Sequence, residues 1–139
     1  METENILKEL KKKGCRLTVI RKAVTGIFAE NKHPLSVADI AGKLTDKRIG
    51  ADKTTLYREI SFLVKAGMIN EIDFGDRRKR YEAATLGHHH HLVCVKCGRI
   101  EDIKIKKDLE AEEKRIFKQK RFRILRHALE FFGLCPQCN

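Results

Sequence analysis

Two Cys-x-x-Cys pairs form the clearest chemical pattern in the chain. Cys94 and Cys97 make up the first pair, and Cys135 and Cys138 make up the second. Two such pairs can supply four thiolates at tetrahedral angles, which is the ligand shell that zinc prefers in structural sites. Because four protein ligands leave no open position for a substrate, the pattern predicts a structural zinc ion. The alternatives are redox-active dithiols or unrelated free thiols.

Four consecutive histidines, His88 to His91, lie just before the first cysteine pair. Successive side chains of a strand point to opposite faces of the sheet. His88 and His90 are therefore predicted on one face, and the other two histidines, His89 and His91, on the opposite face. Imidazole is a common ligand for zinc, iron and other transition metals. We interpret the run as two imidazole pairs that serve two separate metal ions.

A further histidine falls in the last predicted strand, over 122–132. Strand alternation there places four residues on one face: Leu125, His127, Leu129 and Phe131. A histidine on an apolar face is usually a hydrogen-bonded core residue. One of the imidazole pairs is expected nearby, however, so a role for His127 as a metal ligand is the alternative. The residues alone leave both interpretations open.

The first half of the chain has the pattern of short helices followed by a hairpin. The predicted helices are 3–13, 18–32, one that begins at Ser36, and 52–67. The hairpin joins 69–74 to the basic segment 77–81. The last helix presents Tyr57 and Arg58 on the side opposite its apolar stripe. This order is typical of a winged helix-turn-helix, in which the last helix enters the major groove of DNA.

The second half has the pattern of strands around one helix. The predicted elements are strands over 88–95, 99–105 and 122–132 and a helix over 107–120. The stretch 84–87 before them is small and uncharged and ends in glycine, so we interpret it as a hinge. The sequence thus predicts an α+β fold, with a winged helix-turn-helix over 1–83 and a small α/β domain with a four-cysteine zinc site over 88–139.

The chain is strongly basic, with 30 Lys and Arg against 19 Asp and Glu and a formal net charge of +11. A basic balance favours an anionic partner, of which nucleic acid is the usual one. The chain has no apolar run long enough for a membrane span. Its N-terminus lacks an apolar stretch, which predicts a cytosolic protein with no membrane association. The fifth cysteine, Cys15, is interpreted as a packed residue without a role.

Several of these motifs occur together in one known family. They are Thr54-Thr55-Leu56-Tyr57-Arg58, Leu63-Val64-Lys65-Ala66-Gly67, Arg80-Tyr81-Glu82, the histidine run into Cys94-x-x-Cys97-Gly98, and Cys135-x-x-Cys138. With them, the chain resembles the ferric uptake regulator family over essentially its whole length. The resemblance implies a metal-dependent repressor that binds a double-stranded DNA operator as a homodimer through a C-terminal dimerisation domain. It implies neither an enzyme nor a small-molecule substrate.

The resemblance also implies roles for individual residues. The implied structural zinc ligands are Cys94, Cys97, Cys135 and Cys138. The implied regulatory site at the hinge comprises His33, Glu82, His89, His91 and Asp102, with Glu101 as the alternative to Asp102. An additional metal site comprises His88, His90, Glu110 and His127. The implied DNA-binding residues are Arg16, Thr54, Thr55, Tyr57 and Arg58.

The identity of the sensed metal depends on where the chain departs from the family pattern. Iron-responsive members often carry Asp where this chain has His90, and His at that position resembles some zinc-responsive members. Those members tend to place a cysteine in the hinge site, which has none here. A hinge site of oxygen and nitrogen ligands suits iron or manganese. We therefore predict Fe²⁺ as the sensed metal, with a zinc-responsive or a peroxide- or manganese-responsive regulator as the alternative.

Two other classes of protein are remote alternatives. A zinc enzyme such as a deaminase would need an open metal position and a glutamate that acts as acid and base, in an H-x-E motif before P-C-x-x-C. The second cysteine pair here is Cys-Pro-x-Cys, and no H-x-E precedes it. A metal buffer would not need Tyr57 and Arg58 on a helix followed by a basic hairpin.

Overall fold

The computed structural model describes residues 2–107 and 109–139, which divide into two units. The N-terminal unit ends at Gly87 and the C-terminal unit begins at His88. Within the described residues, each unit contains a three-stranded sheet of its own. None of the helices in this part of the chain has the length and apolar character that crossing a bilayer demands.

Helices and a hairpin make up the N-terminal unit, in the predicted order. Its elements are α1 (Glu2–Lys12), α2 (Val19–Glu30), β1 (Leu35–Ser36), α3 (Val37–Asp46), α4 (Lys53–Lys65), β2 (Ile69–Asp73) and β3 (Lys79–Ala83). Side-chain caps begin three of the helices, because each cap accepts a hydrogen bond from an N–H group that the helix leaves unpaired. The caps are Thr18 for α2, Ser36 for α3 and Asp52 for α4. The hydrogen bond from the N–H of Thr55 lowers the pKa of Asp52.

The sheet of this unit has the order β1-β3-β2 and is antiparallel. Ile69 pairs with Ala83 and Asp73 pairs with Lys79, so β2 and β3 form the predicted hairpin. In the turn, the Asp76 carboxylate accepts from the Arg80 guanidinium at 2.7 Å. This charged partner lowers the pKa of Asp76 to about 2. This hairpin follows α4, the last helix of the unit, and is the wing of the winged helix.

A continuous apolar core holds the helices and this sheet together. The buried stripe of α4 consists of Leu56, Ile60 and Leu63, each at most 2% exposed. It packs with buried side chains of α1, α2 and α3, which include Phe28 and Ile40. Because the apolar face of α4 is buried, its opposite face is presented to solvent.

One polar contact within this unit has no counterpart in the sequence predictions. Glu59 lies on the buried side of α4, and both of its oxygens accept from Arg21 of α2, at 2.7 and 3.1 Å. The same guanidinium lies 3.7 Å from the centroid of the Phe62 ring and donates to the Arg16 carbonyl at 2.7 Å. Arg21 therefore ties the loop that contains Arg16 to α4.

Replacing Glu59 by glutamine is expected to destabilise the N-terminal unit by about 1.5–3 kcal/mol, because it removes a hydrogen-bonded charge pair that is shielded from water. The pair between Lys47 and Glu30 is the control, since both of its side chains are more than 40% exposed. Glu30→Gln should cost at most about 1 kcal/mol. Urea unfolding of both variants measures the difference. Equal losses would show that burial does not strengthen the Arg21–Glu59 pair.

The C-terminal unit contains shorter strands than the sequence predicts. Its elements are β4 (His90–Cys94), β5 (Ile100–Ile103), α5 (Glu110–Lys120) and β6 (Glu130–Gly133). The sheet has the order β5-β4-β6, with β5 antiparallel and β6 parallel to β4. The stretch interpreted as a hinge contains a 3₁₀ turn, Ala84–Leu86, followed by Gly87 with φ 72°.

The predicted strand over 122–132 is wrong for its first eight residues, because only Glu130–Gly133 forms a strand. Residues 122–129 are irregular, and the carbonyl of Leu129 accepts a hydrogen bond from the Nδ1 atom of His90 at 3.0 Å. Strand alternation therefore does not place Leu125 and His127 on a common apolar face, and Leu125 is 84% exposed.

The interior of the C-terminal unit is polar. Of its described residues, only His90, His91 and Cys94 are buried. Each of the three is a predicted metal ligand. Large apolar side chains of this unit are instead exposed, among them Phe117, Phe122, Leu125, Phe131, Phe132 and Leu134. The unit therefore lacks an apolar core of its own within the described chain.

Candidate metal centres and nucleic-acid interface

The sheet of the C-terminal unit brings the two cysteine pairs together. Cys94 is the last residue of β4 and pairs in register with Gly133, the last residue of β6. Because β4 and β6 are parallel, the turns that follow them lie at the same end of the sheet. The sulfur atoms of Cys94, Cys97, Cys135 and Cys138 all lie within 4.8 Å of one another. All four are free thiols.

The ionisation of these thiols differs across the cluster. The backbone N–H of Cys135 donates to the sulfur of Cys94 at 3.4 Å. Such N–H groups, from Cys135 and Cys97, lower the pKa of Cys94 to about 6. The adjacent side chain of Cys135 raises the pKa of Cys138 to about 12. Four thiolates at this spacing need a cation to offset their repulsion, so the donor set fits a tetrahedral zinc ion.

A second group of ligand atoms lies beside the start of β4, and we call it the His89/His91 cluster. The Nε2 atoms of His89 and His91 are 3.1 Å apart. Asp102 of β5 pairs in register with His91, and its Oδ1 atom lies 4.0 and 3.9 Å from the two Nε2 atoms. Two imidazoles and a carboxylate at this spacing suit a transition-metal ion with nitrogen and oxygen ligands. The carboxylate of Glu101, the alternative ligand, lies beside Arg99, with Oε1 3.7 Å from the guanidinium Nη1 atom.

A third group comprises His88, His90 and His127, and we call it the three-imidazole cluster. One ring nitrogen from each lies within 4.8 Å of the others. The ring of His88 contacts both partners edge-on, with centroids 4.8 Å from His90 and 4.9 Å from His127. The rings of His90 and His127 are stacked at 5.5 Å. The separation of the four consecutive histidines into two pairs therefore follows the predicted alternation, although β4 begins only at His90.

The carboxylates near the three-imidazole cluster differ from the predicted set. Glu110 lies 3.0 Å from Lys114, and its side chain is 77% exposed. Glu113, one helical turn further along α5, contacts His127 instead, with Oε1 at 2.6 Å from Nδ1. Helical spacing puts positions 110 and 113 on neighbouring parts of one face, which is the signal that could have indicated Glu113.

The other two predicted hinge ligands belong to the N-terminal unit. His33 is exposed in the bend before β1. Glu82 is buried in β3, where it pairs with Asn70 of β2. Its neighbour Tyr81 pairs with Leu35 of β1, so the sheet holds β3 beside the segment that follows His33. The role of both residues as ligands stays a prediction.

The exposed face of α4 and its surroundings carry the predicted DNA-binding residues. Thr54, Tyr57 and Arg58 are exposed on α4, whereas Thr55 is half-buried beside its cap. Arg16 is exposed in the loop before α2. A basic surface with an aromatic ring on an exposed helix has the chemistry to contact phosphates and base edges.

Comparison with known proteins gives the same assignment. The sequence pattern of the ferric uptake regulator family matches residues 12–132. The ferric uptake regulation protein of Bacillus subtilis is 33% identical over 140 aligned positions, which cover 98% of this chain and 93% of that protein. The corresponding protein of Legionella pneumophila is 32% identical over 132 positions, covering 94% of this chain and 96% of the relative.

A solved structure leads to the same conclusion. The ferric uptake regulator of Francisella tularensis, determined with iron, matches with a TM-score of 0.78 and 28% identity, covering 90% of this chain and 95% of that one. The predicted α+β fold with an N-terminal winged helix-turn-helix is thereby confirmed. The chain is therefore a member of the ferric uptake regulator family, whose proteins are metal-responsive transcriptional regulators and not enzymes.

Proposed function

We propose that this chain is a homodimeric repressor that binds a DNA operator when Fe²⁺ is bound, and that the four cysteines hold a structural Zn²⁺. The observation that carries the proposal is the His89/His91 cluster, which combines two imidazoles with the Asp102 carboxylate. This cluster contains no sulfur ligand. Nitrogen and oxygen ligands suit Fe²⁺ or Mn²⁺ better than a thiolate-rich site would. The relative from Francisella tularensis was solved with iron.

Regulation is proposed to depend on ligands from both units. In this proposal, His33 and Glu82 add their side chains to His89, His91 and Asp102. A divalent ion held by these residues would supply the positive charge that attracts their carboxylate and imidazole groups. The ligands favour the DNA-binding arrangement only to the extent that they bind the ion better in that arrangement than in others.

DNA recognition is assigned to α4 and the loop before α2. Tyr57 and Arg58 are proposed to contact base edges in the major groove, together with Thr54 and Thr55 at the start of the helix. Arg16 is proposed to reach the minor groove. Exposed basic residues of the wing would contact phosphates, which supply most of the salt-dependent affinity.

The C-terminal unit is proposed to form the homodimer. Its large apolar side chains are exposed, and the buried residues in its described part are candidate metal ligands. A second copy would cover apolar side chains such as Phe117 and Phe131, which one unit leaves in water. A two-fold dimer also presents two recognition helices, as a palindromic operator requires. The proposed place of action is the cytosol, where free thiols remain reduced.

A zinc-responsive regulator is the second candidate. The observation in its favour is that His90 completes the three-imidazole cluster, because three imidazoles without an added carboxylate suit Zn²⁺. A manganese- or peroxide-responsive regulator would use the same His89/His91 cluster. The candidates differ in the ion that promotes DNA binding, and all of them would control genes of metal uptake or homeostasis.

Selection from a pool of short DNA duplexes with randomised centres tests the proposed function. The full chain, with its structural zinc in place, is incubated anaerobically with Fe²⁺, Mn²⁺, Zn²⁺ or a chelator. We expect enrichment of a palindromic sequence with half-sites about one helical turn, ~34–36 Å, apart, and most strongly with Fe²⁺. Equal enrichment with the chelator would contradict metal-dependent repression. Enrichment with Zn²⁺ alone would replace the first candidate by the second.

A further inference from the structure

The three-imidazole cluster has hydrogen-bond partners outside the cluster itself. The Nδ1 atom of His90 lies 3.0 Å from the Leu129 carbonyl, and the Nδ1 atom of His127 lies 2.6 Å from Oε1 of Glu113. Histidines that bind metals almost always donate their other ring N–H to a carbonyl or a carboxylate. Both Nδ1 atoms here are engaged in that way, which assigns Nε2 of each ring to coordination.

Two glutamates of α5 are candidates to serve this cluster. Glu110 occupies the position that the family resemblance assigns, yet its carboxylate lies 3.0 Å from Lys114, and both side chains are more than 70% exposed. The Glu113 side chain is 31% exposed, and its contact with His127 is the shortest in the group. A bond of 2.6 Å between a carboxylate and a ring N–H lies at the short end of charge-assisted hydrogen bonds.

We propose that Glu113, and not Glu110, is the carboxylate that serves the three-imidazole cluster, and that it acts as a positioning residue through Nδ1 of His127. This inference rests on the proposed metal binding of the cluster. The carboxylate holds the proton on Nδ1, fixes the orientation of the ring and makes Nε2 a better electron donor. The direct protein ligands are then three neutral imidazoles, a donor set that suits Zn²⁺ and binds Mn²⁺ weakly.

Four single substitutions on α5 distinguish the role of Glu113 from that of Glu110. Glu113→Gln keeps the shape of the side chain and one acceptor oxygen but removes the charge. Glu113→Ala removes the acceptor as well as the charge. Glu110→Gln and Glu112→Gln are matched controls, because both residues lie exposed on the same helix. Each change is made in the full chain carrying His89→Ala and His91→Ala, with its structural zinc retained, so that one non-cysteine site is titrated. Zinc content of the cysteine site and thermal unfolding confirm that each variant folds.

The measurement is a Zn²⁺ titration in competition with a chromophoric chelator. We expect the Glu113 variants to bind Zn²⁺ about 10–100-fold more weakly, and the two controls to bind like the parent. Nitrogen-detected NMR of the imidazoles should show the Nδ1–H form of His127 in the parent and its loss in Glu113→Ala. Weaker binding in Glu110→Gln with normal binding in Glu113→Gln would overturn the inference. A parent that binds no Zn²⁺ would instead overturn the proposed site, and the inference with it.

Discussion

Replacing Cys135 by serine is expected to abolish zinc binding and to unfold the C-terminal unit. Structural zinc contributes about 10–16 kcal/mol in small zinc domains, which is comparable to or larger than the whole free energy of unfolding of an ordinary domain. The described part of this unit buries only His90, His91 and Cys94. No apolar core is therefore present there to replace the four thiolate ligands.

Cys15→Ser is the matched control, because Cys15 is a half-buried free thiol of the N-terminal unit. After metal bound at the histidine clusters has been removed with a chelator, zinc per chain, measured by elemental analysis, should fall from one to zero in the Cys135 variant and stay unchanged in the control. Far-ultraviolet circular dichroism should show that the C-terminal unit loses its secondary structure while the N-terminal unit keeps its helices. Full zinc content with an unchanged unfolding temperature would contradict a structural role for the cysteines.

Replacing Arg58 by alanine is expected to cost most of the operator affinity. A bidentate contact between arginine and a base contributes about 1–3 kcal/mol of discrimination. Because a dimer presents two recognition helices, the loss should reach roughly 30-fold or more. Arg58 is exposed on α4, whereas the neighbouring Glu59 is buried. The substitution should therefore leave folding and metal content unchanged.

The control for this prediction is Lys114→Ala, which removes the same charge from an exposed helix of the C-terminal unit. Fluorescence anisotropy with a duplex recovered by the selection measures both variants at one salt concentration, because salt changes phosphate binding strongly. Equal affinity of the Arg58 variant and the wild type would remove α4 from the proposed interface. An equal loss of operator affinity in the Lys114 variant would show that Arg58 contributes only through its positive charge.

Local rules predict much of this fold correctly. Thr18, Ser36 and Asp52 accept hydrogen bonds from unpaired N–H groups of the following helix, so the beginnings of α2, α3 and α4 are encoded within a few residues. The two Cys-x-x-Cys pairs predict one cluster because together they supply the four thiolates that a structural zinc ion prefers. Successive side chains of extended backbone point to opposite sides, which separates His88 and His90 from the other two histidines.

Contacts that depend on tertiary position lie beyond such rules. The alternation near His127 suggests a strand, yet an imidazole of β4 is bonded to the carbonyl of Leu129, and the segment stays irregular. Glu59 follows Arg58 on a helix that is expected to contact DNA, and the sequence around it gives no sign that it is buried or that its partner, Arg21, lies 38 positions away. Helical spacing places Glu113 near Glu110 on α5, but the choice between these acids depends on the position of His127.

The most direct test of metal control is the operator affinity of the wild type with and without Fe²⁺, measured anaerobically by anisotropy, beside a His89→Ala, His91→Ala variant that keeps its structural zinc. We expect Fe²⁺ to tighten binding by the wild type ~5–150-fold and to leave the variant at the metal-free affinity. A His88→Ala, His90→Ala variant distinguishes the two clusters and should retain a response. Wild-type protein that binds the operator equally well in chelator and in Fe²⁺ would contradict regulation through the His89/His91 cluster.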